Sequence, residues 1–143
     1  LTPIDIAAFE TAIPRLRDDV VVAGYPFGGV LTAPTLTFGQ IADIRSLTGD
    51  DRLKRLSITP QPSDAGGPVL DQRGAVTGML MPRDMSGAQV LPPDVNFAVN
   101  AEQIVALLGL QGVSTQSAEV ADPVSPVALN RKATDMTVLV SCW

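Results

Sequence analysis

The sequence of 143 residues contains no histidine. That absence removes the commonest general base, the commonest metal ligand and every Ser-His-Asp triad the chain could build alone. Cysteine occurs once, as Cys142, so no internal disulfide can form. With one cysteine, no histidine and no Asp-rich calcium loop, ligands are too few for a zinc or EF-hand site, and no metal or other cofactor is expected. Positive charge is in the minority: 10 Lys and Arg stand against 15 Asp and Glu, a net charge of -5. This is the wrong sign for holding a phosphate backbone by counterion release, so nucleic acid is not an expected partner. Apolar stretches such as residues 20–23 and 76–81 fall far below the roughly 20 residues that span a bilayer. No basic-then-apolar leader follows Leu1, which fits a processed product or a piece of something longer.

What is present suits one globular domain. Hydrophobic residues make up 45% and charged residues 17%, and a chain of this length buries roughly 68–70% of its unfolded surface without disulfide support. Thr2-Pro3 before Ile4, Ile6, Ala7, Phe9 and Ile13 predicts an N-cap and a short amphipathic helix in an N-terminal segment, 1–18. Val20-Val21-Val22-Ala23 predicts a buried strand, broken by Gly24-Tyr25-Pro26-Phe27-Gly28-Gly29. Residues 35–42 alternate as a half-buried strand, and Leu53, Leu56 and Ile58 open the next. Val69-Leu70-Asp71 and residues 75–81 flank Gln72-Arg73-Gly74 as a hairpin. Residues 96–99 predict a further strand and residues 101–110 a helix stopped near Gly109 or Gly112. Residues 111–134 read as a linker or surface excursion, and 135–143 as a terminal strand. Short strands outnumber helices, so the fold class is all-β: an antiparallel β-barrel over 19–110 with short peripheral helices.

The most informative stretch is Gln61-Pro62-Ser63-Asp64-Ala65-Gly66-Gly67-Pro68-Val69-Leu70-Asp71, followed by Gly74-Ala75-Val76-Thr77-Gly78-Met79-Leu80. It resembles the nucleophile turn of trypsin-like serine peptidases of chymotrypsin fold, bacterial Deg-type members above all, with Ala65 where the family carries its serine. Residues 21–29 and 35–39 resemble strands of the family's second barrel. Asn96-Phe97-Ala98-Val99 resembles the strand lining the specificity pocket, and residues 101–108 the C-terminal helix. The likeness covers roughly residues 19–108.

The resemblance implies a trypsin-like C-terminal barrel whose turn presents two amides, those of Ser63 and Ala65, to a carbonyl oxygen. Glycines let such a turn curl. Position 63 is normally glycine in the family, and Ser63 departs from that pattern. Alanine has no oxygen with which to attack, so this chain is not expected to form an acyl-enzyme. The reading that follows is a catalytically inactive homologue, a pseudoprotease, holding an extended peptide or partner domain by strand addition in a cleft near Ser63, Asp64, Gly66, Gly67 and residues 96–99. The partner could be an upstream barrel half bearing the histidine and aspartate. Two alternatives stand beside it: a fragment of an active serine endopeptidase inactivated by Ser-to-Ala at 65, and a purely structural interaction domain. The company this family keeps implies a periplasmic or secreted setting.

Other patterns carry blander expectations. Residues 24–29 lack the Walker lysine of a phosphate loop and read as a turn. Asp43, Asp64 and Asp71 read as solvated aspartates on separate turns rather than an acid-base pair. Arg45, Arg52, Lys54 and Arg55 form a basic cluster, read as a solvated face with acidic-partner binding as the alternative. Met79 and Met81, at strand spacing, are expected to fill the core, with Met85 beyond them. Cys142 reads as a buried or incidental thiol. Residues 133–142 resemble the strand with which many members of this fold begin.

Overall fold

The computed structural model describes residues 4–25, 33–83, 91–140 and 142. Thr2-Pro3, the loop residues 26–29 and Met85 therefore lie outside the described residues.

The chain enters through a two-residue strand, β1 (Ala8–Phe9). Six longer-range antiparallel partners follow: β2 (Asp19–Gly24), β3 (Thr35–Asp43), β4 (Leu53–Ser57), β5 (Pro68–Leu70), β6 (Val76–Leu80) and β7 (Val95–Asn100). They pair in the order β2-β3-β4-β7-β6-β5, and β5 pairs back onto β2, which closes the barrel. Closure pairs each of these strands with two neighbours, so unpaired backbone is left only where a strand runs past its partners. Helix α1 (Ala101–Leu110) follows β7 directly. It ends where Gly112 takes φ +75 and the Val113 amide reaches back to Leu108 O at 2.9 Å, a left-handed helix stop. A last short strand, β8 (Gln116–Ser117), pairs with β1, and helix α2 (Pro126–Met136) completes the fold.

Apolar alternation explains where the core sits. Val20 and Val22 of β2 meet Ile41, Leu56, Ile58, Val69, Leu80 and Ala98 in one cluster, which fills the barrel. Val21 and Ala23, on the other face of β2, join Leu70 and Val76 under Leu129 and Ala133 of α2. Both faces of β2 are thus covered, as its unbroken apolar run requires. Each fully buried Val or Leu here contributes roughly 1.5–3 kcal/mol.

Three expectations are corrected. Among its described residues the N-terminal segment is not helical: Phe9 pairs in parallel with Val76, Glu10 N donates to Val76 O at 2.9 Å, and Ile4, Ile6 and Ile13 face solvent. A helix of about ten residues is marginal in water, and strand pairing that buries Phe9 against the barrel wins. Residues 111–134 are not a linker throughout, because Ser125 Oγ accepts the Ala128 amide, Pro126 opens α2, and Leu129 and Ala133 are buried. Residues 135–143 form no terminal strand among the described residues: Asp135 and Met136 close α2, and residues 137–140 are unpaired in any sheet.

Candidate functional site at the Ala65 turn

Between β4 and β5 the chain makes a single 3-10 turn over Pro62–Asp64. Pro62 has no amide to lose at the first turn position. The Asp64 carboxyl caps the turn, Oδ2 accepting the Gln61 amide at 2.9 Å, while the Asp64 amide donates to Gln61 O at 3.0 Å. The Ala65 amide donates to Pro62 O at 3.4 Å. The donor at residue 65 is therefore engaged within the turn. Ser63 keeps a negative φ, so the serine is accommodated without the left-handed strain a side chain there would carry.

Two glycines then return the chain to the barrel. Gly66 sits at φ +86, and its amide donates to Leu80 O at 2.8 Å. Gly67 packs so close to the Ala23 and Asp64 carbonyls that a Cβ would overlap them. Leu80 N returns a bond to Gly67 O at 3.0 Å, and Met81 N donates to Phe97 O at 2.9 Å. The turn and the start of β7 thus flank the end of β6, two strand spacings or about 10 Å apart. The sequence-predicted peptide cleft is brought together only in part. Phe97 and Val99 are half-buried, whereas Ala98 points into the core and Asn96 is 2% exposed. Asn96 Nδ2 donates to Ile58 O at 2.8 Å and Pro93 O at 3.1 Å, a structural clamp.

Asp64 is not a solvated aspartate. It is 2% exposed, and its Oδ1 finds no hydrogen-bond partner among the described residues. Asp71 lies near Asp19 through Gln72, whose Nε2 donates to Asp19 at 3.0 Å, and Asp64 lies against Gly24. The length of β2 separates them, about 17 Å by strand rise. Asp43 pairs with Arg55 at 3.8 Å. No acid-base pair forms from these three.

The basic cluster is dispersed. Arg52 makes a two-pronged contact with Asp50 at 3.0 and 2.8 Å, and this guanidinium holds the Asp50 carboxyl down at about 2. Lys54 is not on a solvated face: at 1% exposure its Nζ donates to Thr77 O at 2.6 Å. Burial pushes the Lys54 ammonium down to about 8, against the opposing attraction of Asp71. Met79 does not fill the core but faces solvent on β6, and Met81 is half-buried. Cys142 is exposed.

Sequence reading missed Arg83, whose guanidinium gathers the loop before β7. A lone arginine after a strand carries no signal. Lys54 did carry one, since it shares strand parity with Leu56 and Ile58.

A closed antiparallel barrel with a Gly-Gly-Pro turn beside strand β6 is the architecture of the second half of a chymotrypsin-like fold. The trypsin-like peptidase domain family matches residues 1–79, and the chain belongs to it. Among curated proteins, the uncharacterized protein y4bJ of Sinorhizobium fredii is 30% identical over 134 residues, covering 90% of this chain and 21% of that protein. Among solved structures, the Rv3671c serine-to-alanine mutant of M. tuberculosis, in its inactive form, is 26% identical with a TM-score of 0.54 and covers 74% of this chain and 53% of that one. The active form of the Rv3671c protease gives 24% identity and a TM-score of 0.57 over 78% and 50%. The serine endoprotease of Yersinia pestis, at 16% identity, shares the fold with a TM-score of 0.57 over 73% and 34%. The chain thus spans about half the length of the Rv3671c structures and a fifth of the curated relative.

Proposed function

We propose that this barrel holds an extended polypeptide without cutting it, along the backbone edge that Met81-Pro82-Arg83 continues from β6. Ala65 carries the reading. It stands where the family's nucleophile stands, and it has no oxygen; losing such a serine costs on the order of 10⁶ in turnover, about 8 kcal/mol of barrier. The engaged Ala65 amide, donating to Pro62 O, supports a site that does not polarise a carbonyl. Strand addition needs neither group, because main-chain hydrogen bonds supply affinity and pockets for alternate side chains supply selectivity.

A second reading, a fragment of an active serine endopeptidase with Ser-to-Ala at 65, is favoured by one observation. This chain covers only about half of each Rv3671c neighbour, and one was solved as a serine-to-alanine mutant. The test is titration of unstructured peptides into the purified chain, with mass spectrometry of the peptides afterwards. Saturable binding with intact peptide is the expected result. Flat titrations to millimolar concentration would leave only a structural interaction domain. An A65S chain restored to its full-length polypeptide and labelled by an active-site phosphonate would favour the enzyme reading. By the same family reasoning we place the protein in a periplasmic or secreted setting, which fractionation of the source cells tests.

A further inference from the structure

We propose that Arg83 selects an acidic side chain in the polypeptide bound along the end of β6, an inference that rests on the binding reading above. Backbone pairing stops abruptly there. Leu80 exchanges bonds with Gly66 and Gly67, and Met81 N bonds Phe97 O. Past Leu80, no described residue pairs with the backbone of Pro82 or Arg83. Arg83 lies three residues on, about 10 Å along an extended chain. It is close enough to meet a side chain of a segment whose backbone lies beside Ala65.

The Arg83 side chain is held in one place. NH1 donates to Val95 O at 2.8 Å, Asn96 Oδ1 at 3.3 Å and Pro93 O at 3.4 Å, and NH2 to Leu91 O at 2.8 Å and Pro92 O at 3.2 Å. All five acceptors are neutral. Among the described residues no carboxylate lies within ion-pair distance of Arg83, and Asp94, the described acid of this loop, is exposed. No described carboxylate offsets the guanidinium, which is fixed at Asn96, one residue before the half-buried Phe97. A charge already ordered loses little side-chain entropy when a carboxylate arrives. Among the described residues Nε has no acceptor.

The experiment uses unstructured peptides of one sequence carrying Glu, Gln or Lys at each position in turn, titrated into the wild-type chain, R83M and R83K. At one position the Glu peptide should bind wild type about tenfold tighter than its Gln twin, with the Lys twin weakest, the size of a charge-assisted contact. R83K should keep part of that preference, because the charge remains, and R83M should lose it. Thermal melts show whether either variant has unfolded; the wild-type comparison stands without them. Equal binding of all three peptides to wild type overturns the role of Arg83 and leaves peptide binding intact. A preference that survives in R83M overturns it as well. Failure of every peptide to bind overturns both readings.

Discussion

Inside the barrel, Lys54 Nζ donates to the carbonyl of Thr77 at 2.6 Å. The ammonium is all but sealed from water, and its folded-state value of about 8 lies below the ordinary 10.5. Between those values the unfolded chain holds a proton that the folded one has released, so stability rises with pH across that window. The charged lysine costs about 3 kcal/mol below pH ~8, relieved towards pH ~10.5. Urea melts at pH 7.5 and 10 should show this rise in wild type. In K54M the rise should vanish, with stability at pH 7.5 no worse than about 1 kcal/mol below wild type, since an apolar side chain often replaces a buried charge without loss.

Gly24 is where β2 passes the Asp64 carboxyl, and a methyl group there would overlap it. Gly24→Ala should destabilise the fold by about 2–3 kcal/mol, as overpacking against a tight polar turn does. Gly109, inside α1, has open space around it. Gly109→Ala should stabilise by about 0.5–1 kcal/mol through helix propensity alone. Denaturant midpoints of the two variants should move in opposite directions.

Leu129 anchors α2 at 5% exposure, while Leu110 of α1 is 82% exposed. Leu129→Ala should cost about 2–4 kcal/mol and Leu110→Ala under about 0.5 kcal/mol. Equal effects in thermal unfolding would mean that α2 is not part of the cooperative unit.

Arg73 joins Asp71 at 2.8 Å, Glu10 at 3.5 Å and the carbonyl of Glu119 at 2.7 Å. It ties β1 and the segment after β8 to the β5–β6 turn. Arg73→Ala should speed amide exchange at Glu10 and Ala118 selectively. Exchange at Val22 should be unchanged, because local opening need not involve the core.

The barrel could be read from the sequence wherever one pattern had one explanation. The apolar β-branched run of β2 allows no other buried element of its length. The hairpin around Gln72-Arg73-Gly74 and the helix after Asn100 have clear punctuation. Reading failed where a local signal competed with a distant partner. Ile4, Ile6, Phe9 and Ile13 fit a weak helical spacing, but Val76 offers Phe9 a strand partner that no local pattern reveals. Ser125-Pro126 was a helix start, obscured by the loop-like composition around it. At the site, residue types were readable while conformation was not: Ala65 is visible in one letter, but the direction of its amide depends on how Asp64 caps the turn. The burial of Asp64 likewise depends on Gly24, forty residues earlier.

The Asp5 amide donates to Asp135 O at 2.9 Å, so the backbone leading into β1 and the backbone closing α2 run side by side at residues 5 and 135. Joining them with a few glycines should make a ring that folds as before, and a larger protein could carry the barrel like a bead hung from a single stitch, its neighbours' spacing undisturbed.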